Sequence, residues 1–334
     1  MASPAPVRVD CHNHVGVELG FYLRGNYPYA QTLPQLLAEG DTAGISHFLV
    51  FPMVTHLGLS LEGMRAGEVR TEGALEAVPY AWENRRLLEE VYRLFPGDAA
   101  GRVFPLAMAD PLRATDAQAA ALRTLWDEFA PLGDGGRPFY GLKFQTTMLR
   151  APIRALLDQG RVLLDFARER DLPLLVHSSV YPEDPWAQAS DILDVAERVP
   201  DLRFCVAHSC RFDRECLERV AALPNAWFDC SAHIIHCRLA CADSPHVAPP
   251  ARRFDSDYAR PEAVLRDLAA AYPGKLLWGS DSPYHSYVDA DLRLWATYRD
   301  EADCLLALPA GLLDRVARDN AARCFRLPGL EAAP

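Results

Sequence analysis

Eight short apolar runs alternate with longer stretches of helical periodicity, and this alternation constrains the fold more than any other feature of the chain. The runs fall at 7–12, 45–52, 102–108, 139–145, 173–178, 203–208, 226–230 and 275–280, each flanked by glycine, proline or aspartate. Short runs that are apolar throughout are those of parallel strands buried on both faces. Helical patterns cover 32–40, 80–95, 115–130, 152–170, 187–198, 212–223 and 261–272, and a final helical region covers about 290–325. An open doubly wound sheet would need a glycine-rich phosphate turn after an early strand, and the sequence contains none. The pattern therefore predicts an α/β fold, a single (β/α)8 TIM barrel over residues 1–334. Such a barrel needs about 250 residues plus insertions.

Three connections are longer than a βα turn requires: 15–31 after the first strand, 53–80 after the second and 231–260 after the seventh. All three leave the carboxyl ends of strands, the face on which barrel enzymes build their sites. Long connections in compact domains are commonly functional, so these are read as walls of a substrate pocket.

Composition narrows the partners. The formal net charge is -11, which argues against nucleic acid or an anionic membrane surface. No apolar run approaches the roughly 20 residues of a bilayer span, and the N-terminus lacks the charged and apolar regions of a secretory signal. The nine cysteines are scattered without C-x-x-C pairs, which suits reduced thiols in the cytoplasm. The expected partner is a small-molecule substrate.

Ionisable residues gather at the strand ends. The first run ends in His12 and His14, whose i, i+2 spacing on a strand turns both rings to one face. The fourth delivers Lys143, the fifth ends in His177, the sixth in His208 and the eighth in Asp281. Each alone has a plain structural explanation: Asp281 before Ser282-Pro283 as a helix cap, Lys143 reaching for solvent. Together, at one end of five strands, they point to a metal site, because charges buried in a barrel mouth are costly unless paired or coordinated.

The H-x-H of residues 12–14, the histidines closing the fifth and sixth strands, and the aspartate in Trp278-Gly279-Ser280-Asp281-Ser282-Pro283 resemble the amidohydrolase superfamily of metal-dependent TIM barrels. Within it the chain is most similar to the amidohydrolase-related group (amidohydrolase 2), which includes small hydrolases, lactonases and aminocarboxymuconate-semialdehyde-type decarboxylases. Gly141-Leu142-Lys143-Phe144 and the closing stretch Asp319-Asn320-Ala321-Ala322-Arg323-Cys324-Phe325 also resemble that group. The resemblance implies that His12, His14, His177 and Asp281 ligate one divalent metal. Zn²⁺ is the first choice, since three imidazoles and a carboxylate suit it, with Mn²⁺ and Fe²⁺ as alternatives. In binuclear relatives a carbamylated lysine on the fourth strand bridges two metals, which would make His208 a ligand as well. One metal is favoured, because a protonated lysine is a poor ligand. Relatives also imply a homodimer.

The expected activity is that of a metal-dependent hydrolase, with activated water attacking an amide, ester or lactone of a small cyclic or aromatic substrate that bears a carboxylate. Asp281 would carry the proton, His208 would stabilise the oxyanion, and Lys143, Arg24 or Arg211 would hold the substrate carboxylate. His233 and His236, on the 231–260 connection, are further candidates for substrate binding. The alternative is a lyase that decarboxylates an aromatic or unsaturated acid at the same metal. Decarboxylases of the group carry a glycine-rich stretch after the sixth-strand histidine, whereas here Ser209-Cys210-Arg211-Phe212-Asp213 follows His208. Hydrolysis therefore leads. A non-enzymatic barrel would be expected to have lost one of the four ligands.

Overall fold

The structure, a computed structural model, describes residues 6–18, 29–53, 78–286 and 294–330. Nine strands form one sheet: β1 (Val9–Val17), β2 (Ala30–Gln31), β3 (His47–Pro52), β4 (Val103–Met108), β5 (Gly141–Phe144), β6 (Leu174–Val176), β7 (Phe204–Val206), β8 (Ala226–Asp229) and β9 (Leu276–Leu277). They follow one another in the order β2-β1-β3-β4-β5-β6-β7-β8-β9. Every pairing from β1–β3 to β8–β9 is parallel. β2 pairs antiparallel with the end of β1, so the first long connection begins as a hairpin.

The circle closes between the last strand and the first. Cys11 N–H donates to Trp278 O (3.1 Å), Asp281 N–H to His12 O (2.9 Å) and His14 N–H to Ser282 O (2.7 Å). The predicted barrel is thus formed by β1 and β3–β9, and the strand that carries Asp281 lies beside the strand that carries the histidine pair.

The helices are α1 (Leu33–Ala43), α2 (Ala81–Glu89), α3 (Thr115–Phe129), α4 (Arg161–Arg170), α5 (Ala189–Arg198), α6 (Arg214–Ala222), α7 (His233–Cys241), α8 (Pro261–Ala271) and α9 (Tyr298–Leu306), with shorter turns between them. α1 starts at a capping box between Thr32 and Gln35 and ends at Gly44, whose φ of 78° is open to glycine at no steric cost. α7 lies inside the connection expected to be loop. His233, Ile234, Ile235, His236, Cys237 and Ala240 are all buried, and the exposed residues Arg238 and Cys241 are too few to leave a 3.6-residue stripe to detect.

Inward-facing side chains such as Phe51, Phe104, Leu106, Leu175 and Cys205 share a cluster with Ala321, Cys324, Phe325 and Leu327. The C-terminal stretch reaches them from the amino ends of the strands. Asn320 Nδ2 donates to Leu276 O (2.7 Å), and Arg203, just before β7, donates to Cys324 O (2.7 Å). One end of the barrel is therefore plugged with apolar side chains, and the ionisable residues occupy the other. Among the described residues no helix is long and apolar enough to cross a membrane.

Candidate active site

His12 and His14 converge because of two local features of the backbone. β1 carries a register shift against β3 between Asp10 and Asn13, a bulge of the kind that re-aims side chains at barrel rims. Asn13 faces away and serves the scaffold, donating to Asp10 O (3.2 Å) and Leu49 O (3.1 Å). Gly279 is the second feature. A Cβ there would lie 2.7 Å from His12 Cβ, so only glycine lets the strands approach this closely. Gly279→Ala should displace His12, destabilise the fold by about 1–3 kcal/mol and lower metal retention. Thermal unfolding and metal content check this, and a variant that matches wild type in both would contradict it.

Each imidazole of the pair is held by its far nitrogen. His12 Nδ1–H donates to Asp229 Oδ2 (2.9 Å), and His14 Nδ1–H donates to Pro52 O (3.1 Å). Both tautomers are thereby fixed with Nε2 free, the arrangement typical of metal-binding histidines. The two Nε2 atoms face one oxygen, Asp281 Oδ1, at 3.2 and 3.5 Å. Donor atoms of His12, His208 and Asp281 lie within 4.8 Å of one another, a spacing compatible with a single metal ion.

The charge states suit ligation. Burial pushes His14 down to about 4 and holds His177 and His208 well below the ordinary histidine range, so these rings are neutral at physiological pH. Burial alone would raise the Asp281 carboxyl, but the neighbouring His12 and His14 rings and Lys143 outweigh it and hold it below the usual carboxylate range. Lys143, fully buried, is pushed down to about 8 by burial against the pull of Asp281 and Asp229. Its Nζ donates to His12 Nε2 (2.9 Å). A cation and the lysine compete for that lone pair, and the lowered pKa eases release of the lysine's proton.

His177 stands beside this group, its Nδ1 2.8 Å from His208 Nε2. Arg211 fixes the proton order by donating Nη2–H to His177 Nε2 (3.3 Å). His177 Nδ1–H then donates to His208 Nε2, and His208 Nδ1–H to Ser231 O (3.1 Å). Arg211 reaches this position from an unusual turn. His208, Ser209, Cys210, Arg211 and Phe212 have φ of 62°, 50°, 48°, 55° and 62°, a left-handed conformation costing L-residues roughly 1–2 kcal/mol each. Bonds from His208 N–H to Asp229 Oδ1 (3.0 Å), Ala248 N–H to Arg211 O (2.9 Å) and Phe254 N–H to Phe212 O (2.8 Å) hold the turn in place.

The remaining candidates divide. His236 faces the site: its Nε2 meets an Arg211 Nη1–H, and its ring lies 5.1 Å from that of His208. His233, one turn earlier on α7, points elsewhere and bonds Pro261 O (2.8 Å). Arg24 lies outside the described residues. α7 itself is held by Glu301 of α9, whose carboxyl accepts Ile234 N–H (3.1 Å).

Two aspartates were not foreseen from the sequence. Asp229 accepts from His12, from His208 N–H, from Ser231 N–H (2.9 Å) and from the Ser231 hydroxyl (2.5 Å). Burial opposes its charge, but His12, Ser231 and Lys143 prevail and hold it near 2. Asp10 ties β1 to β9 and α9, accepting from Ser280 N–H (2.9 Å) and Tyr298 Oη–H (2.9 Å), and burial raises its carboxyl to about 6. Both stand in or at the end of apolar runs, the same signal that marked the other strand-end groups.

The profile of the amidohydrolase family matches residues 9–327. Among solved structures, an amidohydrolase from Burkholderia multivorans with bound zinc is 17% identical, with 97% of this chain and 100% of that one covered at a TM-score of 0.60. The 5-carboxyvanillate decarboxylase of Sphingomonas paucimobilis is 12% identical over 96% and 99%, with a TM-score of 0.59. The dihydroorotase of Campylobacter jejuni is 14% identical over 97% and 85%, with a TM-score of 0.55. Likeness at these identities concerns the fold, a TIM barrel. No curated protein sequence matches the chain.

Proposed function

We propose that this chain, which belongs to the amidohydrolase family, is a hydrolase that cleaves an amide, ester or lactone in a small cyclic or aromatic substrate bearing a carboxylate. The family is metal-dependent, and the donor set fits a divalent cation: His12, His14 and Asp281 would hold it, with His208 within reach of the same point and His177 adjoining. Imidazole nitrogens with one carboxylate favour Zn²⁺. When bound, the cation supplies Lewis acidity, lowering the pKa of water at the site and polarising the carbonyl under attack.

The observation that carries the reading is the convergence of two tautomer-fixed imidazoles on a carboxylate kept ionised in a buried mouth. Asp281 accepts the proton that water gives up and returns it to the leaving group. The oxyanion role expected of His208 requires a free N–H, and its Nδ1–H is given to Ser231 O. Lys143 Nζ, a buried donor 2.9 Å from His12 Nε2, takes the role. Arg211, whose guanidinium among the described residues hydrogen-bonds neutral acceptors, receives the acidic end of the substrate. Decarboxylation must deliver a proton to carbon, and burial keeps His14, His177 and His208 unprotonated, so these rings hold no imidazolium proton to deliver.

Turnover of candidate lactones and esters in H₂¹⁸O separates the chemistries. The expected result is one labelled oxygen in the acid product per turnover. Release of CO₂ with an unlabelled organic product would overturn hydrolysis in favour of decarboxylation.

A further inference from the structure

Among the described residues, Arg211 hydrogen-bonds no anion. Its contacts are Ser178 O (Nε, 2.7 Å), His177 Nε2 (3.3 Å) and His236 Nε2. Asp281, Asp184 and Asp229 act on it only through space, and burial lowers it to about 10. A buried guanidinium with neutral partners is costly, and a ligand carboxylate removes that cost through paired hydrogen bonds.

The same residue joins two loops. Its side chain binds Ser178 in the connection after β6, and its carbonyl accepts Ala248 N–H (2.9 Å) from the connection after α7. Tyr181 lies three residues past the first anchor and His246 two before the second. Their rings meet with centroids 4.4 Å apart and planes inclined at 40°. The aromatic pair therefore stands on the two loops that Arg211 joins, with His246 exposed to solvent.

Both loops are fastened close to the rings. Gln188 Nε2 donates to Tyr181 O (2.8 Å), and Tyr181 N–H donates to Ser179 Oγ (3.1 Å). Arg253, itself buried, donates to Ala248 O (2.7 Å) and Ala240 O (2.7 Å). The backbone on either side of the ring pair is thus fixed.

We propose that Tyr181 and His246 are specificity-determining residues, an aromatic rim that makes the Arg211 pocket selective for planar acids, aromatic or unsaturated, over saturated ones of similar size. The proposal rests on the reading of Arg211 as the receiver of the substrate's acidic end. A flat acid lays its π face against these rings while its carboxylate reaches the guanidinium. A puckered acid makes the ion pair without the stacking.

Calorimetric titration of the metal-loaded enzyme with benzoate and with cyclohexanecarboxylate tests the rim without requiring a known substrate. Wild type should bind benzoate roughly fivefold more tightly, the worth of one aromatic stacking contact. Tyr181→Ala with His246→Ala should equalise the two acids while leaving metal content and Tm unchanged. Tyr181→Phe should keep the preference, and Arg211→Gln should weaken both acids alike. Equal affinities in wild type, or a preference that survives the double alanine variant, would overturn the rim. If neither acid binds wild type, the Arg211 reading falls together with the rim, whereas failure of hydrolysis appears only in the isotope experiment.

Discussion

Asp281→Asn should reduce turnover by at least about 10³-fold, within the range that a positioned acid–base group contributes, while the fold is retained. The substitution preserves shape, and the backbone bonds that close the barrel stay in place: Asp281 N–H to His12 O (2.9 Å) and His285 N–H to Asp281 O (3.1 Å). What is lost is the charge facing His12 Nε2 and His14 Nε2, together with the carboxylate oxygen that takes the proton. Steady-state kinetics alongside thermal unfolding separate the two effects. Near-normal kcat in the asparagine variant would refute the proton-transfer role, and a large fall in Tm would show that the carboxylate is chiefly a scaffold group.

Asp229→Asn is expected to be nearly as severe for a different reason. Asp229 touches no substrate; it orients His12 and the turn that carries His208. An amide in its place turns an N–H₂ toward a donor, either the His12 Nδ1–H or the His208 and Ser231 N–H groups. If His12 responds by moving its proton to Nε2, the lone pair directed at the site disappears. Metal retention should fall by about 10- to 100-fold, and stability by about 1–3 kcal/mol for the buried donors left unpaired. The pH dependence follows from the shift. The folded-state pKa of about 2 lies below the ordinary 3.8, so the pairing contributes stability above pH ~4 that is lost as pH falls toward 2. The gap in stability between wild type and Asp229→Asn should therefore narrow across that window. Chemical denaturation at pH 7 and near pH 3 measures it, and a constant gap would contradict the assignment.

The barrel was legible because parallel strands buried on both faces leave short runs with no polar alternation, and those runs matched the strands to within a few residues. The metal-site candidates were legible for a related reason: an ionisable residue at the end of such a run has nowhere to go but the barrel mouth. Three features were hidden. α7 buries most of its residues, Arg238 and Cys241 excepted, so His233 and His236 looked alike in sequence although one turn of helix sends them to different surroundings. The left-handed turn at 208–212 is made by residues with no preference for that conformation, and contacts from β8 and the 242–254 segment impose it. Asp229 carried the right signal but looked like the terminator of an apolar run, because its value lies in His12, 217 residues away in sequence. Spacing alone could place His177 and His208 only at neighbouring strand ends; that Arg211 and Ser231 order the protons between them follows from side-chain geometry.

The proposed chemistry depends on a divalent cation held at His12, His14 and Asp281, and elemental analysis of purified protein measures this most directly. About one equivalent of divalent metal per chain is predicted, lost together with activity on chelation and restored with it on adding Zn²⁺. Full turnover by protein stripped of metal would contradict the account.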